Sequence, residues 1–347
     1  MAYISFQPND YFSTKLYTGT GSSNAITGVG FQPDWVWIKK RNATGQHQLF
    51  DAVRGVTKRV YSDSSDPEST SATTLTAFGT DGFTVGSNSG INGSSDTIVS
   101  WNWLANGAGS SNTDGTINTT ATSVNTTAGF SISTYSGTGS AATIGHGLGA
   151  VPQVMIVKNT YQAESWIVYH QSLGGGTPQD KYLHLNTTDA EGDSAAMWND
   201  TAPTSSVFSV GTSTSTNQAG GTFVAYCFAE KQGFSKFGSY TGNGNADGAF
   251  IYTGFKPAFV LVKETGTGNW IIKDNKRPIY NQNDTYLFAN TSDAESSAST
   301  LGMDLLSNGF KLRATAGDMN GSGTEIIYMA FAEEPLVSSN GVPAVAR

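Results

Sequence analysis

A chain of 347 residues with 13% charged residues, 41 glycines and a net charge of −8 lacks the clustered Lys and Arg that track phosphates, which argues against nucleic-acid and anionic-membrane partners. Its 18 Phe, 14 Tyr and 7 Trp suffice for several cores and argue against ordinary disorder. Gly and Thr richness with few helix formers points to short strands and many turns, and the one cysteine, Cys227, excludes a disulfide framework or a multi-cysteine zinc site.

The first eleven residues hold Tyr3, Phe6 and Tyr11 among small polar groups and read as a lead-in arm. They have neither a basic start nor an apolar signal core, and no apolar run is long enough to span a bilayer. A threefold internal repeat follows, and it organises everything else. Each copy opens on an aromatic residue running into a Gly-x-Gly turn: Tyr17-Thr18-Gly19-Thr20-Gly21, Tyr135-Ser136-Gly137-Thr138-Gly139 and Tyr240-Thr241-Gly242-Asn243-Gly244. No Lys-Ser/Thr follows and no helix is signalled, so these are turns rather than phosphate cradles.

A proline-led, very apolar strand ending on lysine comes next. It reads Pro33-Asp34-Trp35-Val36-Trp37-Ile38-Lys39, then Pro152 to Lys158, then Pro257 to Lys263. Both faces are apolar in every copy, which predicts a central strand buried on both sides. A second strand starts at His47, Trp166 and Trp270, and a third covers Lys58–Tyr61, Lys181–Leu185 and Thr285–Ala289. The last strand of each copy alternates large apolar residues: Val99, Trp101 and Trp103, then Val224, Tyr226 and Phe228, then Ile327, Met329 and Phe331. That face is expected to be core, with the opposite, smaller face half buried or against a neighbouring unit. Cys227, between Tyr226 and Phe228, reads as a buried small hydrophobe. No helix of ordinary length has apolar 3.6-residue spacing; a turn or two is expected between 294 and 306.

The third strands exit into small acidic motifs: Ser64-Ser65-Asp66-Pro67-Glu68, Thr187-Thr188-Asp189-Ala190-Glu191 and Thr291-Ser292-Asp293-Ala294-Glu295. Paired carboxylates beside hydroxyls could hold a hard cation, but too few oxygens are specified, and a side-chain-capped turn is the better reading. His47, His146, His170 and His184 form no metal-binding pair, and no histidine is shared by all copies. Carboxylate pairs such as Asp189 with Glu191 or Glu164 with Asp193 have nothing to select them for glycoside hydrolysis. No catalytic residue, metal ligand or cofactor is therefore expected.

The expected organisation is an N-terminal arm (1–11), repeat one (12–107), a Gly/Ser/Thr linker (108–127), repeat two (128–232), repeat three (233–334) and a C-terminal tail (335–347). The expected fold is all-β, with three tandem antiparallel β-sandwiches of jelly-roll or lectin-like type.

Certain stretches go beyond composition. Ile4-Ser5-Phe6-Gln7-Pro8, Gly28-Val29-Gly30-Phe31-Gln32-Pro33-Asp34-Trp35-Val36-Trp37-Ile38-Lys39, Leu49-Phe50-Asp51-Ala52-Val53-Arg54-Gly55, Ser100-Trp101-Asn102-Trp103, Ala225-Tyr226-Cys227-Phe228-Ala229-Glu230 and Gly341-Val342-Pro343-Ala344-Val345-Ala346-Arg347 together resemble a family of repeat-built virion structural proteins of tailed phages of marine bacteria, cyanophages among them. The resemblance spans essentially the whole chain. It implies a structural protein on the virion exterior (tail fibre, knob or capsid decoration), assembled in the cytoplasm of an infected bacterium. The expected partners are other capsid or tail proteins and further copies of the chain in a symmetric homo-oligomer. The alternative is a non-catalytic adhesin binding a host receptor or glycan. Tyr3, Phe6 and Tyr11, lying outside the repeats, are the candidates for anchoring to the particle. A ligand surface should lie where the copies disagree, with Gln46 to Arg59 and Gly174 to Asp180 the foremost loops.

Overall fold

In a computed structural model, described for residues 7–278 and 280–334, the regular elements are mainly short antiparallel strands joined by turns and single helical turns. The first third of the chain forms β1 (Phe12–Thr18), β2 (Asn24–Thr27), β3 (Trp35–Lys40), β4 (Gln48–Asp51), β5 (Lys58–Tyr61), β6 (Ser69–Thr70), β7 (Leu75–Gly79), β8 (Gly82–Val85) and β9 (Thr97–Trp103). The middle third forms β10 (Ala121–Asn125), β11 (Phe130–Ser136), β12 (Ala142–Gly145), β13 (Val154–Asn159), β14 (Ile167–His170), β15 (Lys181–His184), β16 (Gly192–Asp193), β17 (Val207–Val210) and β18 (Thr222–Phe228). The last third forms β19 (Ser235–Thr241), β20 (Phe250–Tyr252), β21 (Pro257–Glu264), β22 (Ile271–Asp274), β23 (Thr285–Phe288), β24 (Ser296–Ser297), β25 (Met303–Leu306), β26 (Gly309–Leu312) and β27 (Glu325–Ala332).

One strand order recurs. The large sheets run β1-β9-β3-β4-β5-β6, β11-β18-β13-β14-β15-β16 with β10 added at the edge, and β19-β27-β21-β22-β23-β24. Small sheets, β2-β8-β7, β12-β17 and β20-β26-β25, accompany them. The proline-led strands β3, β13 and β21 are flanked by partners on both sides and are buried almost throughout, as their two apolar faces predicted.

Those two faces go to different places. Val36 and Ile38 pack with Ile26, Phe83 and Ile98 beneath the first small sheet, while Met155 and Val157 do the same in the second unit and Val260 and Val262 in the third. The opposite faces meet in one common cluster. Trp35, Trp37, Trp101 and Trp103 join Ile132, Val154, Ile156, Tyr226 and Phe228 of the second unit and Phe259, Leu261, Met329 and Phe331 of the third. Trp35 stacks on Tyr226 with ring centroids 4.6 Å apart, Trp103 meets Phe259 edge-on at 5.6 Å, and Phe228 meets Phe331 at 5.7 Å. The large face of each last strand is thus core, but it is a core shared by all three units. The small face, with Ser100 and Asn102, lies toward its own small sheet, not against a neighbour. Each such aromatic, fully buried, contributes on the order of 1.5–3 kcal/mol from desolvation, so the shared core is the main adhesive between units.

A buried asparagine fixes each Gly-x-Gly turn. Asn92, Asn217 and Asn320 end single helical turns and accept from the main-chain N–H of Thr20, Thr138 and Asn243 at 2.8–3.0 Å. Their amides donate to two carbonyls each, Gly211 and Ser140 at 2.7 Å in the second unit. The first glycine of each turn runs so close to this segment that a Cβ on Gly242 would sit 2.2 Å from the Gly321 carbonyl oxygen.

Two stretches differ from expectation. Residues 108–127 look like linker by composition, yet Ala121–Asn125 pairs with β11, and the N–H of Ile117 donates to Thr143 O at 3.0 Å along the edge of β12. An open sheet edge recruits even a Ser/Thr-rich segment because its main chain is what pairs. The helix expected between 294 and 306 is one 3-10 turn, Ser299–Leu301, set between β24 and β25.

Candidate functional site

The three acidic motifs, together with His47 and His170, lie at the seams between units. Each acidic motif folds as a turn: the N–H of Asp66, Asp189 and Asp293 donates to the hydroxyl of Ser64, Thr187 and Thr291 at 3.0, 3.3 and 3.5 Å. Each turn docks on the next unit two residues beyond the lysine that follows the proline-led strand's apolar run. Glu68 N donates to Thr160 O at 3.1 Å, Glu191 N to Thr265 O at 2.8 Å, and Glu295 N to Arg41 O at 2.8 Å. In return, Glu164 N donates to Ser65 O, Gly268 N to Thr188 O and Gly45 N to Ser292 O, all within 3.0 Å. The first unit therefore grips the second, the second the third, and the third the first. The ring is closed.

The second strands supply a further bond at equivalent places. Trp166 Nε1 donates to Tyr61 O at 2.7 Å, Trp270 Nε1 to His184 O at 2.8 Å, and His47 Nε2 pairs with Phe288 O at 3.0 Å. His47 replaces a tryptophan here, and its Nδ1 accepts from Trp37 Nε1 at 2.8 Å, so Nε2 carries the proton. The lysines end in carbonyl cages. Lys158 Nζ donates to Ser65 O, Asn159 O and Glu164 O at 2.7–3.1 Å, and Lys39 Nζ to Lys40 O and Ser292 O. Burial lowers Lys39, Lys158 and Lys263 to about 8.

Two seams hold buried ion networks. Arg54 pairs with Asp51 at 2.5 Å and Glu68 at 3.1 Å, and Tyr226 of the second unit donates to Asp51 at 2.8 Å. Arg277 pairs with Asp274 at 2.6 Å and Glu295 at 3.3 Å, and Trp101 Nε1 of the first unit donates to Asp274 at 3.0 Å. Arg277 also lies 5.7 Å over the Trp101 ring, and Glu295 pairs with Arg41 at 2.7 Å. The remaining seam replaces the ionic set with His170, Leu173 and Met329. There His170 Nε2 donates to Tyr328 O at 3.1 Å while its Nδ1 accepts from Ser172 N, and burial pushes its pKa down to about 4. An imidazole and two apolar side chains thus do with neutral groups what two ion networks do elsewhere.

The remaining histidines and carboxylates bond locally, each within its own unit. His146 accepts from Leu148 N and pairs with Thr204 O, and His184 pairs with Asp189 at 3.2 Å. Glu164 accepts from Ser215 and Gln162, Asp193 pairs with Lys181 at 3.0 Å, and Glu191 accepts from Gly174 N. The Cys227 thiol is buried and pushed up to about 12 by desolvation. Among the described residues no group of three or more His, Cys, Asp or Glu is placed to hold a metal ion. Of the anchoring candidates, Tyr3 and Phe6 lie outside the described residues. Tyr11 packs edge-on against Phe234 at 6.2 Å, beside the shared core. Sequence reasoning missed Asp51, Arg54, Asp274 and Arg277. The shared Asp-x-x-Arg spacing was their only signal, and His170 with Leu173 hides it in the second copy.

A search of curated proteins gives no match. The family model described as a domain of unknown function (DUF7483) matches residues 7–335, and the chain belongs to that family.

Proposed function

We propose that this chain is a structural protein on the exterior of a tailed-phage virion, a tail fibre, knob or capsid decoration, acting by assembly through surface complementarity. The observation that carries the reading is the closed ring of seams. Many of the polar and aromatic residues hold one unit to the next, through buried ion networks, the Lys39 and Lys158 ammonium groups on carbonyls of the neighbouring unit, and a shared aromatic core. That construction serves rigidity, which an exposed particle component needs. The sequence resemblance to repeat-built virion proteins supports the same reading.

On this reading each large sheet and its small companion form one β-sandwich. The first strand pairs with the last (β1 with β9) in one sheet and the second with the next to last (β2 with β8) in the other, the wrap of a jelly roll. Three such sandwiches around one axis give a single chain the outline of a trimer, suited to a threefold position on a particle. Further copies would assemble with closed symmetry, with other capsid or tail proteins as partners. Tyr3 and Phe6 serve as the particle anchor, while Tyr11, packed on Phe234, belongs to the folded body.

Imaging of phage particles with antibody raised against the purified protein tests the proposal. Label on capsid or tail supports it; label confined to soluble infected-cell extract, with none on particles, refutes it. Deleting residues 1–6 should leave a folded protein that no longer joins the particle.

A further inference from the structure

The three units are an internal control for one another, and at one place the third departs sharply from the other two. Its edge strand β20 points Ile251 inward, paired with Phe310, and turns Phe250 and Tyr252 outward at 45% and 61% exposure. The pairing of β2 with β8 and β12 with β17 places Ala25 and Thr27 at the same positions in the first unit, and Thr143 and Gly145 in the second. In the second unit the edge of this strand is also covered by Thr116 and Ile117, whereas among the described residues no segment pairs with the free edge of β20. Two exposed aromatics two residues apart on a strand lie on one face, about 7 Å apart. Neither ring enters the interior of the unit, so the pair is apolar surface beyond what the core requires.

The surface beside them is polar and charge-balanced. Phe250 lies opposite Lys311, and Lys311 opposite Asp304, so a row runs from the aromatic ring across the sheet to a carboxylate. Lys311 pairs with Asp247 at 2.9 Å, and Arg313 pairs with Asp304 at 2.7 Å. The two cations and two anions neutralise each other while keeping unused donors and acceptors. Asp247, Asp304 and Arg313 line an open depression of about 720 Å³, together with Ala246, Asn281, Gln282, Ser299, Thr300 and Thr315. Gly309 leaves room for the Phe250 ring, whose tip lies 3.0 Å from where a Cβ would be.

We propose that this face of the third unit binds a neutral hexopyranose oligosaccharide. The apolar C–H faces of successive sugar rings would lie on Phe250 and Tyr252. Their hydroxyls would bond to the Lys311, Asp247, Asp304 and Arg313 cluster at the depression. Flat apolar rings joined to a fixed set of polar groups are what a ring with an apolar face and a hydroxyl rim requires. A net-neutral cluster favours an uncharged ligand over an acidic or basic one, and a lining that mixes amides and hydroxyls with apolar surface suits a sugar, which has both. This site stands apart from the structural role proposed above: loss of binding would leave particle incorporation intact, and failure to label particles would leave binding intact.

The test uses the full chain with maltohexaose, cellohexaose and β-1,4-mannohexaose, followed by saturation-transfer NMR and calorimetric titration. At least one hexaose should bind. The variant Phe250→Ala/Tyr252→Thr, which installs the first unit's own residues and should fold unchanged, should weaken that binding at least tenfold. Arg313→Gln should weaken it as well. Absence of binding by all three hexaoses, or binding that both variants leave untouched, overturns the proposal. So does concentration-dependent dimerisation of the wild type that the double variant abolishes, which would assign the face to a second copy of the chain.

Discussion

Replacing Arg277 by leucine removes the cation from the seam between the third and first units. The side chains of Arg277 and Asp274 are both fully buried, and Arg277 is bound to Asp274, Glu295 and the Ile272 carbonyl. The substitution leaves Asp274 as a desolvated carboxylate whose remaining support includes Trp101 Nε1 and the N–H groups of Lys276 and Arg277. Breaking a buried pair on one side costs about 3–5 kcal/mol, and lost contact with the Trp101 ring adds a fraction of that. The second unit supplies the rescue. Asp274→His, Arg277→Leu and Trp101→Met together transplant the His170, Leu173 and Met329 solution into this seam. The single variant should lose about 3–5 kcal/mol in equilibrium urea unfolding with an unchanged m value, and the triple variant should recover at least half of it. A loss below about 1 kcal/mol for Arg277→Leu would show that the network is not desolvated and would refute the closed seam.

Three further outcomes follow from the same contacts. His170 is neutral in the fold with its pKa lowered to about 4, against about 6.5 unfolded. Its contribution is intact above pH 6.5 and is lost as pH falls toward 4. That amounts to about 2 kcal/mol by pH 5, and unfolding curves of wild type and His170→Gln at pH 7 and pH 5 measure the difference; equal pH slopes would contradict it. Tyr226→Phe deletes the hydroxyl that donates to Asp51 and should cost about 1.5–3 kcal/mol, as expected for a hydrogen bond to a charged group; chemical denaturation reads it, and a neutral result would count against the seam. Gly242→Ala places a methyl against the Gly321 carbonyl, so its thermal midpoint should fall by several degrees, while Gly323→Ala, strained in backbone but with open space around it, should fall less.

The spine of each unit was legible in the sequence because alternation works locally. Trp35, Val36, Trp37 and Ile38 can only be a strand with two buried faces, and so it proves. What alternation cannot say is whose core a face enters. Trp101 and Trp103, beside Val224 and Met329, look the same whether each unit closes on itself or all three close on one another, and they do the latter. The acidic motifs were readable as turns from Ser64, Thr187 and Thr291. Their docking was not, because it runs through main-chain N–H groups that every residue carries. Strand β10 hid for a similar reason, its Ala-Thr-Ser-Val-Asn being chosen for an edge rather than a core. The Phe250 and Tyr252 pair was invisible until registers fixed which positions in the other units to compare with it.

Because the three units share one core, they should unfold together. In differential scanning calorimetry the protein should show a single transition whose van't Hoff and calorimetric enthalpies agree, as for one cooperative unit. Two or three resolved transitions, or a van't Hoff enthalpy near one third of the calorimetric value, would contradict it.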